Sequence, residues 1–217
     1  MFLSHAAAWA VGFMICTGSV LGAPNGAAPS GPNADVAPAA MRPRFTAEDI
    51  QFTPGHGLPS LESLNLTAVE LVEQALIEIE NEEKGAVASP GAIGPLTRRS
   101  ALFCGSGKDT LYRASTRACG NYLNALGNTP CVVRQRACFC LITIGQGGHY
   151  DAVQIEGIKW ADALEVSSYC RHVAHAVYVQ EEACKENTLR MWRGREAAYG
   201  NAGLMVFSYP DTGCRPF

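Results

Sequence analysis

The sequence has little charge and no excess of basic residues. Charged residues make up 17% of its 217 positions, and the formal net charge is −3 at pH 7. Domains that bind nucleic acid usually carry a basic excess, so we expect no nucleic-acid partner. Apolar residues reach 47%, which excludes a wholly disordered chain, because such chains are poor in them.

Long apolar runs and enzyme signatures are also scarce. Beyond the N-terminus, no run approaches the ~20 residues that a membrane-spanning helix requires, so we predict no transmembrane segment. The sequence contains no P-loop, no dinucleotide fingerprint and no Ser/His/Asp motif. We therefore predict a protein that binds rather than catalyses, with no cofactor and no metal.

The one long apolar run begins the chain. Residues 1–23 read MFLSHAAAWAVGFMICTGSVLGA, an apolar stretch with small residues at its end, which is typical of a secretory signal peptide. Cleavage after Gly22 would place Val20 and Gly22 at the small-residue positions, so we predict a signal peptide over residues 1–22. The alternative is a buried N-terminal helix, but the Ala/Pro/Gly stretch behind it offers nothing to pack against.

Cysteine is absent from residues 24–99. Of the nine cysteines, Cys16 would leave with the signal peptide, and an even eight would remain. We expect these eight to form disulfides in an oxidising compartment, and the protein to be secreted and extracellular. They are Cys104, Cys119, Cys131, Cys138, Cys140, Cys170, Cys184 and Cys214.

Residues 23–99 differ from the rest of the chain in composition. Ala, Pro, Gly and Asn dominate residues 24–60, and such a composition buries too little apolar surface to order itself. One helix is predicted at about 67–83, where apolar residues recur at helical spacing and Thr67 with Glu70 has capping-box spacing. Asn65 begins an N-x-[ST] glycosylation acceptor in this segment.

A dibasic pair, Arg98-Arg99, lies where the charge changes sign. Residues 24–97 carry three basic and ten acidic residues, whereas the chain from Ser100 onward carries twelve basic and ten acidic residues. We predict a kexin-type processing site at the pair; the alternative is two solvated surface arginines. Processing would make residues 23–99 an acidic, largely disordered pro-segment, whose helix is a candidate to cover the basic domain during secretion.

Residues 100–217 are predicted to form a small disulfide-rich α+β domain. Apolar patterns indicate strands near 101–104, 131–133 with 137–144, 150–160, 188–192 and 203–209. Helical spacing indicates helices at 111–126 and from Ser167 or Ser168 to about Glu182. The order β-α-β-β-α-β(β) is typical of an α/β sandwich with two helices on one antiparallel sheet.

Two cysteines of this domain lie close together on one predicted strand. Cys138 and Cys140 are two residues apart, so their side chains should leave the same face. If that face meets the helices, Cys119 and Cys170 are their natural partners. Eight cysteines allow many connectivities, and the sequence leaves the choice open.

The spacing of the cysteines resembles that of a known class of secreted proteins. The stretches that carry the likeness are Ala118-Cys119-x-x-Tyr122-Leu-x-x-Leu-Gly127, Ala137-Cys-Phe-Cys140, Ser168-Tyr-Cys170-Arg-His-Val-Ala174, and Cys184 followed by Gly200-Asn-Ala-Gly-Leu-Met-Val-Phe-Ser-Tyr209. Over about residues 100–214 they resemble fungal killer toxins of smut fungi and killer-toxin-like secreted effectors, and necrosis-inducing effectors share a similar outline. The resemblance implies a virulence-related toxin or effector that interferes with an ion channel, another membrane protein or a host protein. We expect it to be a monomer.

Histidines and acids offer an alternative function. His172 and His175 are three residues apart on a predicted helix, but no further ligand completes a metal signature, so surface histidines are the simpler interpretation. A secreted ribonuclease or other hydrolase would need a base, an acid and cations around a phosphate. The candidates for it are His149, Glu156, Lys159 and Arg171. A structural or adhesive extracellular protein is the third hypothesis.

Basic and aromatic residues of the stretch NTLRMWRGREAAYGN form the predicted target-binding set. Arginine and tryptophan are the residues that most often anchor protein interfaces. The set is Arg190, Trp192, Arg193 and Arg195, with Lys159 as a further cation. The alternative is ordinary edge-strand charge, which protects a sheet from aggregation.

Overall fold

The computed structural model describes residues 45–85, 102–106, 110–146, 149–210 and 213–214. The side chains of Gln146, His149 and Tyr150 are outside this description. The predicted signal peptide and the Arg98-Arg99 pair also lie outside the described residues. No helix of the described ranges is long and apolar enough to cross a membrane.

Three helices and ten strands make up the described parts of the chain. The helices are α1 Ala68–Glu83, α2 Arg113–Ala125 and α3 Cys170–Ala183. The strands are β1 Ile50–Pro54, β2 Phe103–Cys104, β3 Thr110–Tyr112, β4 Pro130–Val133, β5 Arg136–Gln146, β6 His149–Lys159, β7 Val166–Tyr169, β8 Arg190–Trp192, β9 Gly194–Ala198 and β10 Asn201–Tyr209. A short 3₁₀ helix, Glu62–Leu64, precedes α1.

Six of the strands form one antiparallel sheet, in the order β1-β5-β6-β10-β9-β2. Its longest strands, β5 and β6, form an antiparallel pair of 11 residues each. Helix α2 packs on β5 and β6, and α3 packs on β9 and β10, so both cover one face. The ladders β3-β8 and β4-β7 are separate. The predicted α+β class, with helices on one face of a disulfide-rich antiparallel sheet, is confirmed.

Helix α2 lies in the middle of the core, where it contacts α1, α3 and the sheet. Its apolar side chains Ala118, Tyr122 and Leu123 are fully buried. Its first turns are polar and yet also buried, with Arg113 and Arg117 only 1% and 0% exposed. A buried charge is tolerated only beside a partner. The helix therefore depends on carboxylates from its neighbours.

All eight cysteines of the C-terminal half are paired, but the predicted placement of Cys138 and Cys140 on one face is wrong. The β5–β6 register shifts between these two residues, and a bulge reverses the alternation of side chains along a strand. Cys140 therefore faces α2, and Cys138 leaves the opposite face. The disulfides are Cys104–Cys184, Cys119–Cys140, Cys131–Cys170 and Cys138–Cys214. Of the two helical cysteines predicted as partners, only Cys119 bonds to this strand.

Residues 45–85 differ from the expectation of a largely disordered segment. Helix α1 lies close to its predicted bounds, and both halves of the Thr67 and Glu70 capping box are present. Strand β1 is absent from the predicted elements, yet it pairs with β5 over five residues. Ile50 and Phe52 alternate with polar residues there, and the edge of the sheet completes the strand's hydrogen bonds. The average composition of residues 24–60 conceals this short pattern.

The start of α3 also differs from the prediction. Ser168, predicted as a possible helix cap, lies in β7, which pairs with β4, and α3 begins only at Cys170. Strand β9 is not among the predicted elements, because its sequence GREAA has no apolar alternation that would indicate a strand. Its position between β2 and β10 supplies the hydrogen bonds that make it a strand.

Candidate functional site

A row of side chains crosses the sheet on the face opposite the helices, here called the outer face. Register pairs Phe103 with Arg195, Arg195 with Phe207, Phe207 with Glu156, and Glu156 with Cys138. Residues directly opposed on antiparallel strands share a face and contact one another. Strands β2, β9 and β10 therefore bring together side chains that are far apart in the sequence.

Arg195 lies between two aromatic rings of this row and its border. Its guanidinium carbon is 5.0 Å from the ring centroid of Phe103 and 5.1 Å from that of Trp160. Trp160 in turn stacks on Phe207, with centroids 6.5 Å apart and an interplanar angle of 12°. A cation within about 6 Å of an aromatic face is attracted by the ring quadrupole. We call Phe103, Trp160, Arg195 and Phe207 the Arg195 patch.

The Arg195 patch is open to solvent. Phe103 and Trp160 are each 54% exposed, and clustered exposed apolar groups mark surfaces that bind other molecules. A groove of about 390 Å³ adjoins the patch, and its lining includes Arg193, Tyr209 and Pro210. The patch thus combines apolar area, a cation and a concave border.

Arg195 carries a charge that no carboxylate neutralises within the described residues. Arg190, in contrast, donates two hydrogen bonds to Asp151, at 2.7 and 3.0 Å, and Arg136 pairs with Glu156 at 2.9 Å. The Nε of Arg195 is buried and has no hydrogen-bond partner among the described atoms. Rings orient a guanidinium without cancelling its charge, so the charge remains available to an anionic group from outside.

A close approach of α3 to the sheet fixes the strand that carries Arg195. Gly194 lies against Gln180 so closely that a Cβ at position 194 would be 3.1 Å from its side chain. Gln180 is buried, donates from Nε2 to the Val206 carbonyl at 3.1 Å, and accepts from the Ser208 hydroxyl at 2.8 Å. Glycine at position 194 therefore allows α3 to hold β9 against β10.

Strand β2 fixes the position of Phe103, one of the two aromatic rings beside Arg195. The Cys104–Cys184 disulfide ties this two-residue strand to the end of α3. The Gly105 amide donates to the Arg193 carbonyl at 2.8 Å, and a Cβ at Gly105 would meet the Arg193 Cγ at 2.5 Å. These contacts extend the β2–β9 pairing and keep Phe103 beside the guanidinium.

The structure brings together only part of the predicted target-binding set. Arg193 and Arg195 lie at the groove and the patch. Trp192 is partly buried against the core, Arg190 is ion-paired, and both belong to the separate β3–β8 ladder. Lys159 donates from Nζ to the carbonyl of a neighbouring turn. The set is therefore divided between two parts of the surface.

Sequence reasoning missed the aromatic half of the patch. The sequence places Phe103 and Phe207 on predicted strands, and Trp160 at the end of one, without assigning them to a binding site. Their contact with Arg195 depends on the β2–β9 and β9–β10 pairings, which no local signal predicts. Alternation along β10 was the available signal, because it places Phe207 on the face opposite Val206.

Two of the residues proposed for a ribonuclease, Glu156 and Arg171, lie on opposite sides of the sheet in the described part of the chain. Glu156 is 1% exposed and is held on the outer face by Arg136 and by the Tyr209 hydroxyl. Arg171 belongs to α3, on the other side of the sheet. The His149 side chain lies outside the described part of the structure. In the described ranges, no group of three or more His, Cys, Asp or Glu side chains could hold a metal ion.

A second cleft, of about 680 Å³, opens between the three helices, and its lining includes Glu78 and Tyr199. It contains both histidines of α3. Burial is the main cause that lowers the pKa of His172, and the charge of Arg171 adds to it. Burial is likewise the main cause that lowers the pKa of His175, with a smaller contribution from His172. Both shifts favour the neutral form of the imidazole. The Arg195 patch, in contrast, offers a guanidinium charge beside exposed aromatic rings.

The predicted glycosylation acceptor is accessible. Asn65 follows the 3₁₀ helix, is exposed, and has a φ of 53°, in the left-handed region that asparagine tolerates better than most residues. The Thr67 hydroxyl of the same triplet accepts from the Glu70 amide at 3.2 Å and caps α1. Glycosylation at this position stays a prediction.

No family model matches the chain, and neither a curated protein nor a solved structure matches it.

Proposed function

We propose that the protein is a secreted fungal toxin or effector that binds a protein of a target cell and interferes with it. An ion channel or another membrane protein is the kind of target that the killer-toxin resemblance of residues 100–214 supports. Four disulfides suit a small protein that works in an oxidising environment. Binding rather than catalysis is supported by the divided ribonuclease set.

The observation that carries the proposal is the position of Arg195 between Phe103 and Trp160. Arginine and aromatic side chains supply most of the energy at protein interfaces. Two rings orient this guanidinium before any partner arrives, which reduces the entropy lost on binding. We expect the partner to present a carboxylate to Arg195 and an apolar surface to Trp160.

We also propose that the chain is processed at Arg98-Arg99, which lies between the two described parts ending at Gly85 and beginning at Leu102. The change of charge and of cysteine content at this point supports a processing site. The acidic helix α1 packs on α2, on the helix side of the sheet. It therefore covers other basic residues than Arg195, and cleavage is not needed to expose the patch.

Charge reversal at the patch tests the proposed binding. We expect Arg195→Glu to weaken binding to susceptible cells, and the toxicity that follows from it, by tenfold or more, because the new carboxylate repels an acidic partner. Purified secreted protein would be applied to a panel of yeast and plant cells, with binding and growth or necrosis as readouts.

The matched control is Arg134→Glu, which makes the same charge change at an exposed position. Arg134 is 86% exposed in its side chain and touches Glu165 only at 3.4 Å. Circular dichroism and the number of free thiols would show that both variants fold. Full binding and toxicity of Arg195→Glu would contradict the proposal.

A further inference from the structure

We infer that residues 45–85, here called the N-terminal segment, remain bound to the cysteine-rich domain after cleavage at Arg98-Arg99. The working protein would then be a noncovalent complex of two chains. This inference rests on the processing step of the proposed function and goes beyond it. Composition alone favours a pro-segment that is discarded, whereas the contacts of the segment favour a permanent subunit.

The helix of the N-terminal segment is built into the common core. Leu71, Val72, Ala75 and Ile79 of α1 are between 0% and 3% exposed, and the helix packs on α2. Its opposite side is mainly polar, as at the exposed Glu73, with Ile77 as the exposed apolar exception. Loss of α1 would open a continuous apolar stripe on the domain and another on the released helix, and burial of such area is the main force that holds folded proteins together.

The segment also supplies the edge strand of the sheet. Along its whole length, β1 pairs with residues 140–144 of β5. Beside this ladder, the Phe52 ring meets the Tyr122 ring edge-on, with centroids 4.9 Å apart. The Tyr122 hydroxyl donates to the Pro59 carbonyl at 2.7 Å. Backbone, aromatic and hydrogen-bond contacts thus join the segment to α2 and to β5 together.

A buried ionic cluster ties the end of α1 to the domain. Arg117 donates to Glu82 at 2.6 Å, and Arg113 donates to Glu83 at 3.2 Å. From the other side, both arginines bind Glu181 of α3, whose side chain is fully buried. The two positive charges of α2 are therefore matched by carboxylates from both α1 and α3.

Charge balance shows what the segment contributes to this cluster. Glu181 alone leaves the two arginines of α2 with an excess positive charge in a buried place. Burial by itself would lower the pKa of Arg117, but the Glu82 hydrogen bond and the Glu181 charge outweigh it and hold the pKa above its ordinary value. At the solvent-facing edge of this cluster, the hydrogen bond from Lys185 lowers the pKa of Glu83. Departure of α1 would remove these carboxylates and leave buried charge uncompensated.

The link between the two chains would be entirely noncovalent. Residues 24–99 contain no cysteine, so no disulfide can join the segment to the domain. A shared apolar core, a strand ladder and a buried ionic cluster together resemble the interface of an obligate complex, which looks like a domain core cut in two. We expect the segment to leave only when the domain unfolds.

Cleavage of the purified secreted protein tests the inference. A recognition site for a specific protease would replace residues 92–97, so that the chain can be cut whether or not a natural enzyme recognises Arg98-Arg99. The cut protein would be examined by size-exclusion chromatography and native mass spectrometry at neutral pH, without denaturant. We expect both fragments to elute together and to separate only in denaturant. Separation under native conditions would overturn the inference.

A second experiment asks whether the ionic cluster holds the segment. We expect Glu82→Gln with Glu83→Gln to raise the rate at which the cut protein exchanges its segment with isotope-labelled cut protein by tenfold or more. Glu62→Gln with Glu73→Gln is the control, because it makes the same charge change at exposed positions of the segment. Equal exchange rates in the two double variants would overturn the role given to the cluster.

The processing step is tested separately, by N-terminal sequencing of the protein from its natural producer. A mature N-terminus well upstream of Ser100, with no second N-terminus, would contradict the proposed processing. The engineered cut would still decide whether the segment is retained. A failure of the proposed processing can therefore be distinguished from a failure of the inferred retention of the N-terminal segment.

Discussion

Arginine occupies two opposite environments on the two sides of the sheet. On the helix side, Arg113 and Arg117 are buried, and each binds two carboxylates. On the outer face, Arg195 is partly exposed and is held by two aromatic rings. A buried guanidinium must be neutralised, whereas a solvated one needs only to be oriented. The partners of an arginine therefore indicate whether it serves the fold or a binding partner.

The two sides of the sheet also differ in how closely their side chains pack. Gly157 on the helix side lies under the Phe139 ring, and a Cβ there would meet that ring at 2.6 Å. On the outer face, Phe103 and Trp160 leave about half of their area in water. The helix side is thus filled by the chain itself, while the outer face keeps apolar area for another molecule.

The largest expected effect comes from the buried ionic cluster. We expect Glu181→Gln to lower the free energy of unfolding by about 3–5 kcal/mol, because it leaves the two buried arginines short of a charge. Chemical denaturation followed by circular dichroism would measure the loss. Glu182→Gln, at an exposed position of the same helix, should change the free energy by about 0.5 kcal/mol or less. A loss below about 1 kcal/mol for Glu181→Gln would erase the distinction between the two kinds of arginine.

The next effect tests the close packing of the helix side. Gly157→Ala should lower the free energy of unfolding by about 1–3 kcal/mol, because the new methyl group enters the space of the Phe139 ring. Adding Phe139→Leu should recover part of the loss, since a smaller side chain makes room. A neutral Gly157→Ala variant in thermal or chemical unfolding would argue that this layer is loosely packed.

A smaller change in stability is expected on the outer face. Arg195→Met removes the charge but keeps an apolar stem, and should alter the free energy of unfolding by about 1 kcal/mol or less. Binding to susceptible cells should nevertheless fall, because the charge offered to the partner is gone. A large loss of stability without loss of binding would mean that Arg195 belongs with the arginines of α2.

The smallest effect is a dependence of stability on pH. Burial holds the pKa of His175 below its ordinary value, with His172 as a secondary cause, so folding favours the neutral ring. The contribution of this ring is present above the ordinary pKa of about 6.5 and is lost as pH falls through the lower folded value. We expect thermal stability to decline from pH 7.5 toward pH 5 and His175→Gln to flatten the decline. His56→Gln, at an exposed position, should leave it unchanged.

The sequence predicts those elements whose signals are local. Helix α1 is predicted from the Thr67 and Glu70 capping box and from its apolar spacing, and α2 from a similar spacing. Strand β9 and the pairing of Phe103 with Arg195 could not be predicted, because long-range register alone creates them. The bulge in β5 has the same origin, and it separated Cys138 from Cys140. The cation of the candidate site was therefore found from sequence, and its aromatic neighbours were not.

The two edges of the sheet differ in length, and this difference has a practical consequence. One edge is β2, with two residues; the other is β1, with five. A recombinant chain that begins at Ser100 would lack β1, and the 11-residue β5 would become the border. A long border strand with free amides and apolar side chains recruits other chains into the sheet. Such a truncated preparation is expected to self-associate into β-rich aggregates, so production of this domain should start upstream of Phe45.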